Sequence, residues 1–135
     1  MFVVNRLHSI DQSGFTLIEI IAVLIIMSVL AVIAVPKFID LDANAKDHAI
    51  DSGISELNGR EVLVWSNIKI SPEGYLSDNQ VFSAVNYDLG SDYDWVDGPR
   101  GGADGGGTLR FQRSRSMELV RSTAEYDQPS NWSRR

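Results

Sequence analysis

The 135-residue sequence has no cysteine. That excludes a disulfide scaffold, a thiolate zinc site and a cysteine nucleophile. Histidine is scarce, with only His8 and His48, and the serines show no nucleophile-elbow pattern. No catalytic constellation is assembled from these residues, and neither an enzyme activity nor a cofactor is expected. Positive charge is also in short supply. The formal net charge of −6 argues against a general nucleic-acid binder. There is no internal repeat.

What is abundant is apolar sequence, and it is concentrated in one place. From Phe15 to Val35 runs FTLIEIIAVLIIMSVLAVIAV, 21 residues with a single charge at Glu19. As a helix at about 1.5 Å per residue it spans about 31 Å, which matches the roughly 30 Å hydrocarbon core of a bilayer. Its β-branched residues would favour a strand in water, but in lipid only a helix satisfies its own backbone. Pro36 follows and predicts a kink. Beyond it the apolar pattern continues at helical spacing through Phe38, Leu41, Ala45, Ala49, Ile50, Ile54 and Leu57, then after a longer gap Val64. Asp40, Asp42, Lys46, Asp47, Asp51 and Glu56 fill the other side. These patterns predict one helix over about 15–66, apolar all round at first and then amphipathic. Gly53 and Gly59 weaken it locally and allow close packing.

The remaining residues suffice for one small core. Pro72 and Gly74 mark a turn. Ser77 with Gln80 three residues on has the form of a capping box and predicts a short helix near 78–86. Tyr93, Trp95 and Val96 suggest a strand, and GPRGGADGGG, residues 98–107 with six glycines, suggests a loop. TLRFQ and SMELVRS alternate as a hairpin across Arg113–Arg115. The tail from about Asp127 is expected to be loose. The expected fold is α+β: a long kinked N-terminal helix, one short helix and a three-stranded antiparallel sheet on the helix's amphipathic half. Trp65, Tyr75, Trp95 and Phe111 are expected in the head core, with a stacked aromatic path for electron transport as the alternative.

The charges are unevenly spread. Residues 73–109 hold seven acids and one arginine, whereas residues 110–135 hold six arginines and three acids. Three interpretations stay open: two solvated faces, head-to-tail complementarity between copies, or contact of Arg110, Arg113, Arg115 and Arg121 with DNA or another anionic polymer. Asp88, Asp92, Asp94, Asp97 and Asp104 are weak candidates for calcium ligands, without EF-hand spacing; a solvated acidic loop is the other interpretation, and no metal is expected. His48 is expected at the surface or at a subunit contact.

Three interpretations of the apolar run also compete. A cleaved secretory signal would normally have a shorter core and no acid. A plain single-pass anchor leaves Glu19 without a purpose, although a carboxylate in a span costs about 2–3 kcal/mol. A third interpretation uses Glu19. A cut between Gly14 and Phe15 would free an ammonium at Phe15, and a neighbouring copy would offer Glu19 to it inside a bundle of apolar helices. Pairing relieves the penalty of a buried charge and sets the register of a filament.

Gly14-Phe15-Thr16-Leu17-Ile18-Glu19, the apolar run and Pro36 together resemble the class III signal of type IV pilins and type II secretion pseudopilins. The resemblance covers about residues 10–45. It implies a cleaved leader (1–14), a transmembrane and filament-core helix (15–35) and a head region (36–135). A membrane aspartyl prepilin peptidase would cut after Gly14 and methylate the Phe15 amine. Glu19, Thr16 and Pro36 would serve assembly: Glu19 as the carboxylate, Thr16 as a polar contact beside it, Pro36 as the place where the packed helix bends or melts. The expected product is an inner-membrane precursor with its head outside, which a platform protein and a cytoplasmic ATPase polymerise into a surface fibre serving adhesion, motility or secretion. Its main partners would be copies of itself. A secretion pseudopilin and a DNA-binding minor pilin are the alternatives. The leader departs from the pattern in having one arginine, no lysine and an acid, Asp11, and the head lacks a cysteine pair.

Overall fold

A computed structural model describes residues 14–135. The expected leader, and His8 with it, lies outside the described residues apart from Gly14. The chain divides into two compact units, with the break between Asp40 and Leu41. Helix α1, Leu17–Ile70, starts in the first and ends in the second, and Pro36 lies inside it.

In the first unit every large apolar side chain from Phe15 to Val35 is 48–84% exposed. The helix is long and apolar enough to cross a membrane. An exposed apolar surface of this extent marks a membrane or protein contact. The polar side chains within the run are satisfied locally. Ser28 donates its hydroxyl to the Leu24 carbonyl at 2.7 Å, and Thr16 and Glu19 bond to one another.

The second unit is the α+β head. Helix α2 is Asp78–Ala84, and the strands are β1 Tyr93–Arg100, β2 Gly106–Phe111, β3 Arg115–Arg121 and β4 Trp132–Arg134. They form one antiparallel sheet in sequence order. Ile50, Ile54 and Leu57 of α1 bury against Leu109, Leu119 and Trp132, flanked by Tyr93, Trp95, Phe111 and Met117. A second cluster joins Val81, Val85 and Ala124 with Val64, Trp65, Ile68 and Tyr75. All four aromatic residues expected in the core therefore pack there. Phe38 and Leu41, expected on the buried stripe, remain exposed.

The sheet has four strands rather than three, because the tail is ordered. Residues 132–134 pair with β3, and the Trp132 ring is buried. The Asn58 side chain on α1 secures this strand by imitating a neighbouring one. Its amide donates to the Trp132 carbonyl at 3.0 Å and its oxygen accepts the Trp132 N–H at 2.6 Å. The glycine-rich stretch is also less of a loop than expected, since β1 runs on to Arg100 and β2 starts at Gly106. Gly106 has φ 148°, and a Cβ there would fall 2.3 Å from the Leu119 carbonyl oxygen. Glycine serves strand contact at this position. Helix α2 starts as expected, but Ser77 makes no side-chain cap; Gln80 accepts from the Leu76 N–H instead.

Candidate assembly site and the charge pairs of the head

At the N-terminal end, Gly14, Phe15 and Thr16 are not helical, and α1 begins at Leu17. Thr16 and Glu19 close the helix end with reciprocal bonds. The Glu19 N–H donates to Thr16 Oγ1 at 3.3 Å, while the Thr16 N–H and Thr16 Oγ1 both donate to Glu19 Oε2, at 2.9 and 2.8 Å. This is a capping box, with a threonine at the N-cap and a glutamate three residues on. Its signal is local, T-L-I-E ahead of an apolar run, whereas the sequence-based expectation for Glu19 invokes only a partner from another copy. Both side chains are exposed, as is Phe15. Gly14, Phe15, Thr16 and Glu19 thus share one exposed helix end, and Pro36 lies further along the same unit.

The head handles charge differently. Glu61, fully buried on α1, accepts five hydrogen bonds: Tyr87 OH at 2.9 Å, Arg121 Nε at 2.7 Å, Arg121 Nη2 at 3.1 Å, Trp132 Nε1 at 3.0 Å and the Ser130 hydroxyl. Arg121 also binds both carboxylate oxygens of Asp78 at 2.9 Å. Asp78 in turn accepts the Ala124 N–H at 2.7 Å and the Gly102 N–H at 3.1 Å. Burial would raise the pKa of Glu61, but the bonds from Arg121, Ser130 and Trp132 outweigh it and hold the carboxyl below its usual range. Asp78 is lowered in the same way, burial being outweighed by Arg121 and the Ala124 and Gly102 amides. Tyr87 is pushed up by burial and by the Glu61 charge. The cluster joins α1, α2, β3 and the start of β4 and has no opening to solvent at Glu61 or Arg121, so its role is to hold the head together.

The arginine-rich half of the head finds its acids within the chain. Arg110 pairs with Asp94 at 3.2 Å, Arg115 with Asp47 at 2.6 Å, Arg134 with Asp51 at 2.6 Å, Arg135 with Glu118, and Arg121 with the buried cluster. Two sequence-based interpretations weaken as a result. Head-to-tail attraction loses most of its free charges, and an anionic-polymer face built on Arg110, Arg113, Arg115 and Arg121 keeps only Arg113 without an ion pair among the described residues. The calcium candidates are similarly dispersed. Asp94 and Asp97 pair with Arg110 and Arg100, and Asp88 accepts the Gly90 N–H at 2.8 Å. Among the described residues no group of three or more His, Asp or Glu side chains is arranged to hold a metal ion. His48 is exposed.

Neither the curated proteins nor the solved structures contain a significant match to the chain. One family model does match, described as the prokaryotic N-terminal methylation motif, over residues 10–35. That span holds Gly14, Phe15, Thr16, Glu19 and the apolar run up to Val35. Such a motif indicates a structural subunit rather than an enzyme. Residues 10–35 therefore carry the prokaryotic N-terminal methylation motif, the signal of type IV pilins and pseudopilins.

Proposed function

We propose that the chain is a prepilin whose mature form, Phe15 to Arg135, is a structural subunit of an extracellular type IV pilus. The observation that carries this reading is a wholly exposed apolar helix with one carboxylate at its N-terminal end, directly behind the glycine–phenylalanine junction of a methylation motif. The leader, 1–14, is removed by a membrane prepilin peptidase between Gly14 and Phe15, and the Phe15 amine is methylated. Residues 15–35 hold the subunit in the inner membrane with the head, 36–135, outside.

Assembly then replaces lipid around the helix with other copies of the helix. The Phe15 ammonium of one copy meets Glu19 of a neighbour in a low-dielectric bundle, where only a paired charge is tolerated. Thr16 adds a polar contact, and Pro36, which cannot donate to the Val32 carbonyl, marks where the packed helix bends or melts. An assembly platform and its ATPase supply the work of extraction. The head contributes a surface whose ion pairs are mostly closed within each subunit, so register is set by the helices.

Mass spectrometry of sheared surface fibres tests this reading. The expected result is an N-terminal peptide that starts at singly methylated Phe15, abundant enough to be the fibre's main component. A protein that keeps Gly14, or that stays entirely in the membrane with no fibre, overturns it in favour of an anchored exported domain. A correctly cut protein confined to the cell envelope would instead identify a secretion pseudopilin.

A further inference from the structure

The cap at the start of α1 lies immediately beside the proposed cleavage point. Its three hydrogen bonds all involve exposed groups, so what they determine is where the helix begins. The N-cap residue takes a non-helical backbone, and its side chain replaces the acceptor that one more helical turn would supply. Without it, only the poor helix propensity of Gly14 opposes growth of the helix towards the junction. Were α1 extended by a turn, the Gly14 carbonyl would accept the Ile18 N–H. The scissile carbonyl would then be committed inside a helix, where a peptidase that pairs with an extended main chain cannot engage it.

We infer that the Thr16–Glu19 cap stops α1 at Leu17 and so keeps the Gly14–Phe15 bond out of the helix, where a peptidase can reach and hydrolyse it. This makes Thr16 a positioning residue for processing, and it rests on the cleavage proposed above. In that step water adds across the amide. Its oxygen joins the Gly14 carbonyl carbon, the carbon–nitrogen bond breaks, and a proton passes to the Phe15 nitrogen. The leader leaves as a carboxylate and the mature chain as an ammonium. Glu19 supplies the reciprocal half of the cap, and Thr16 Oγ1 still accepts the residue-19 N–H when that carboxylate is removed.

The test uses the full-length chain in membrane vesicles that contain a prepilin peptidase of the membrane aspartyl class. Cleavage is timed by gel shift and its position read from the N-terminal peptide. Thr16→Val, which keeps the shape and loses the cap, is expected to be cut about fivefold more slowly. Thr16→Ser and Thr16→Asn, both strong caps, are expected to return to the wild-type rate. In Thr16→Val the Ile18 amide should also exchange with deuterium more slowly, because the longer helix gives it an acceptor. A Thr16→Val protein cut at the wild-type rate overturns the inference. So does a Thr16→Asn protein as slow as Thr16→Val, since the peptidase would then be recognising the threonine side chain itself. A wild-type chain that is never cut, or is cut elsewhere, refutes the processing reading before any variant is compared.

Discussion

Glu19 and Glu61 are both carboxylates of α1, and each interrupts a series of apolar positions. Glu61 lies in the dry interior of the head and accepts five hydrogen bonds from four residues of its own chain. Glu19 is exposed and bonds only to Thr16, three residues away. Removing a charge from water is costly wherever it happens, and a protein tolerates it only where partners are arranged in advance. For Glu61 the tertiary fold supplies those partners. For Glu19 the protomer supplies only a helix cap, which leaves lone pairs for a group from elsewhere. The head pairs its buried charges within the chain, whereas the N-terminal unit is left open on both counts, apolar surface and charge.

Substitutions can separate the two acids. The largest effect is expected from Glu19→Ala, which should abolish surface fibres while leaving the melting temperature of the head unchanged. Fibres at wild-type abundance, counted by electron microscopy, would remove Glu19 from assembly. Next comes Arg121→Met, which strands Glu61 and Asp78 without their cation. Breaking a buried pair costs about 3–5 kcal/mol, a large fraction of a small domain's stability, and thermal melting of the detergent-solubilised protein measures it.

The two proteins should also respond to acid with opposite signs. Glu61 and Asp78 have folded pKa values below their unfolded ones. Their stabilisation is therefore fully present above the unfolded values, near 4, and is lost as pH falls through the folded ones. In Arg121→Met the buried Glu61 is raised instead, so protonation favours the folded form and melting temperature should rise as pH falls from 7 towards 4. A variant that tracks the wild type across this range would show that the cluster does not govern acid stability.

Smaller effects separate the two glycines of the helix. A Cβ on Gly53 would sit 3.0 Å from Tyr93 Cε1 and 3.3 Å from Leu89 Cδ1, whereas one on Gly59 would meet nothing within 4 Å. Gly53→Ala should destabilise the head by about 1–2 kcal/mol through overpacking. Gly59→Ala should stabilise it by up to about 1 kcal/mol through helix propensity alone. Equal changes in melting temperature for the two would contradict the close approach at Gly53.

Much of this architecture was readable from spacing. The long helix, the short helix after Ser77 and the hairpin through Arg113 follow from local periodicity and turn residues, which act over a few positions. The errors share a cause. The tail looked loose because Pro129 and the terminal arginines are locally unstructured in character, yet Asn58, far away in sequence, supplies the strand-like contact that orders Trp132. The glycines at 106 and 107 resembled a loop because their use, close approach to Leu119 and Asp97, exists only once the strands pair. The gap between Leu57 and Val64 in the apolar series is occupied by Glu61, and in β3 Arg121 continues the inward-facing positions of Met117 and Leu119. Each looks like an exposed charge until the other is opposite it. The capping box is a different case, since its signal, a threonine with a glutamate three residues on, is entirely local.

By itself the sequence determined where the apolar helix lies, that one carboxylate stands near its start, and which junction precedes it, because these depend on composition and short spacing along one helix. Only the tertiary structure decided which charges are spent within the chain. Pairing between residues distant in sequence, such as Asp47 with Arg115 or Glu61 with Arg121, depends on how helix and sheet come together, and no local pattern encodes that meeting.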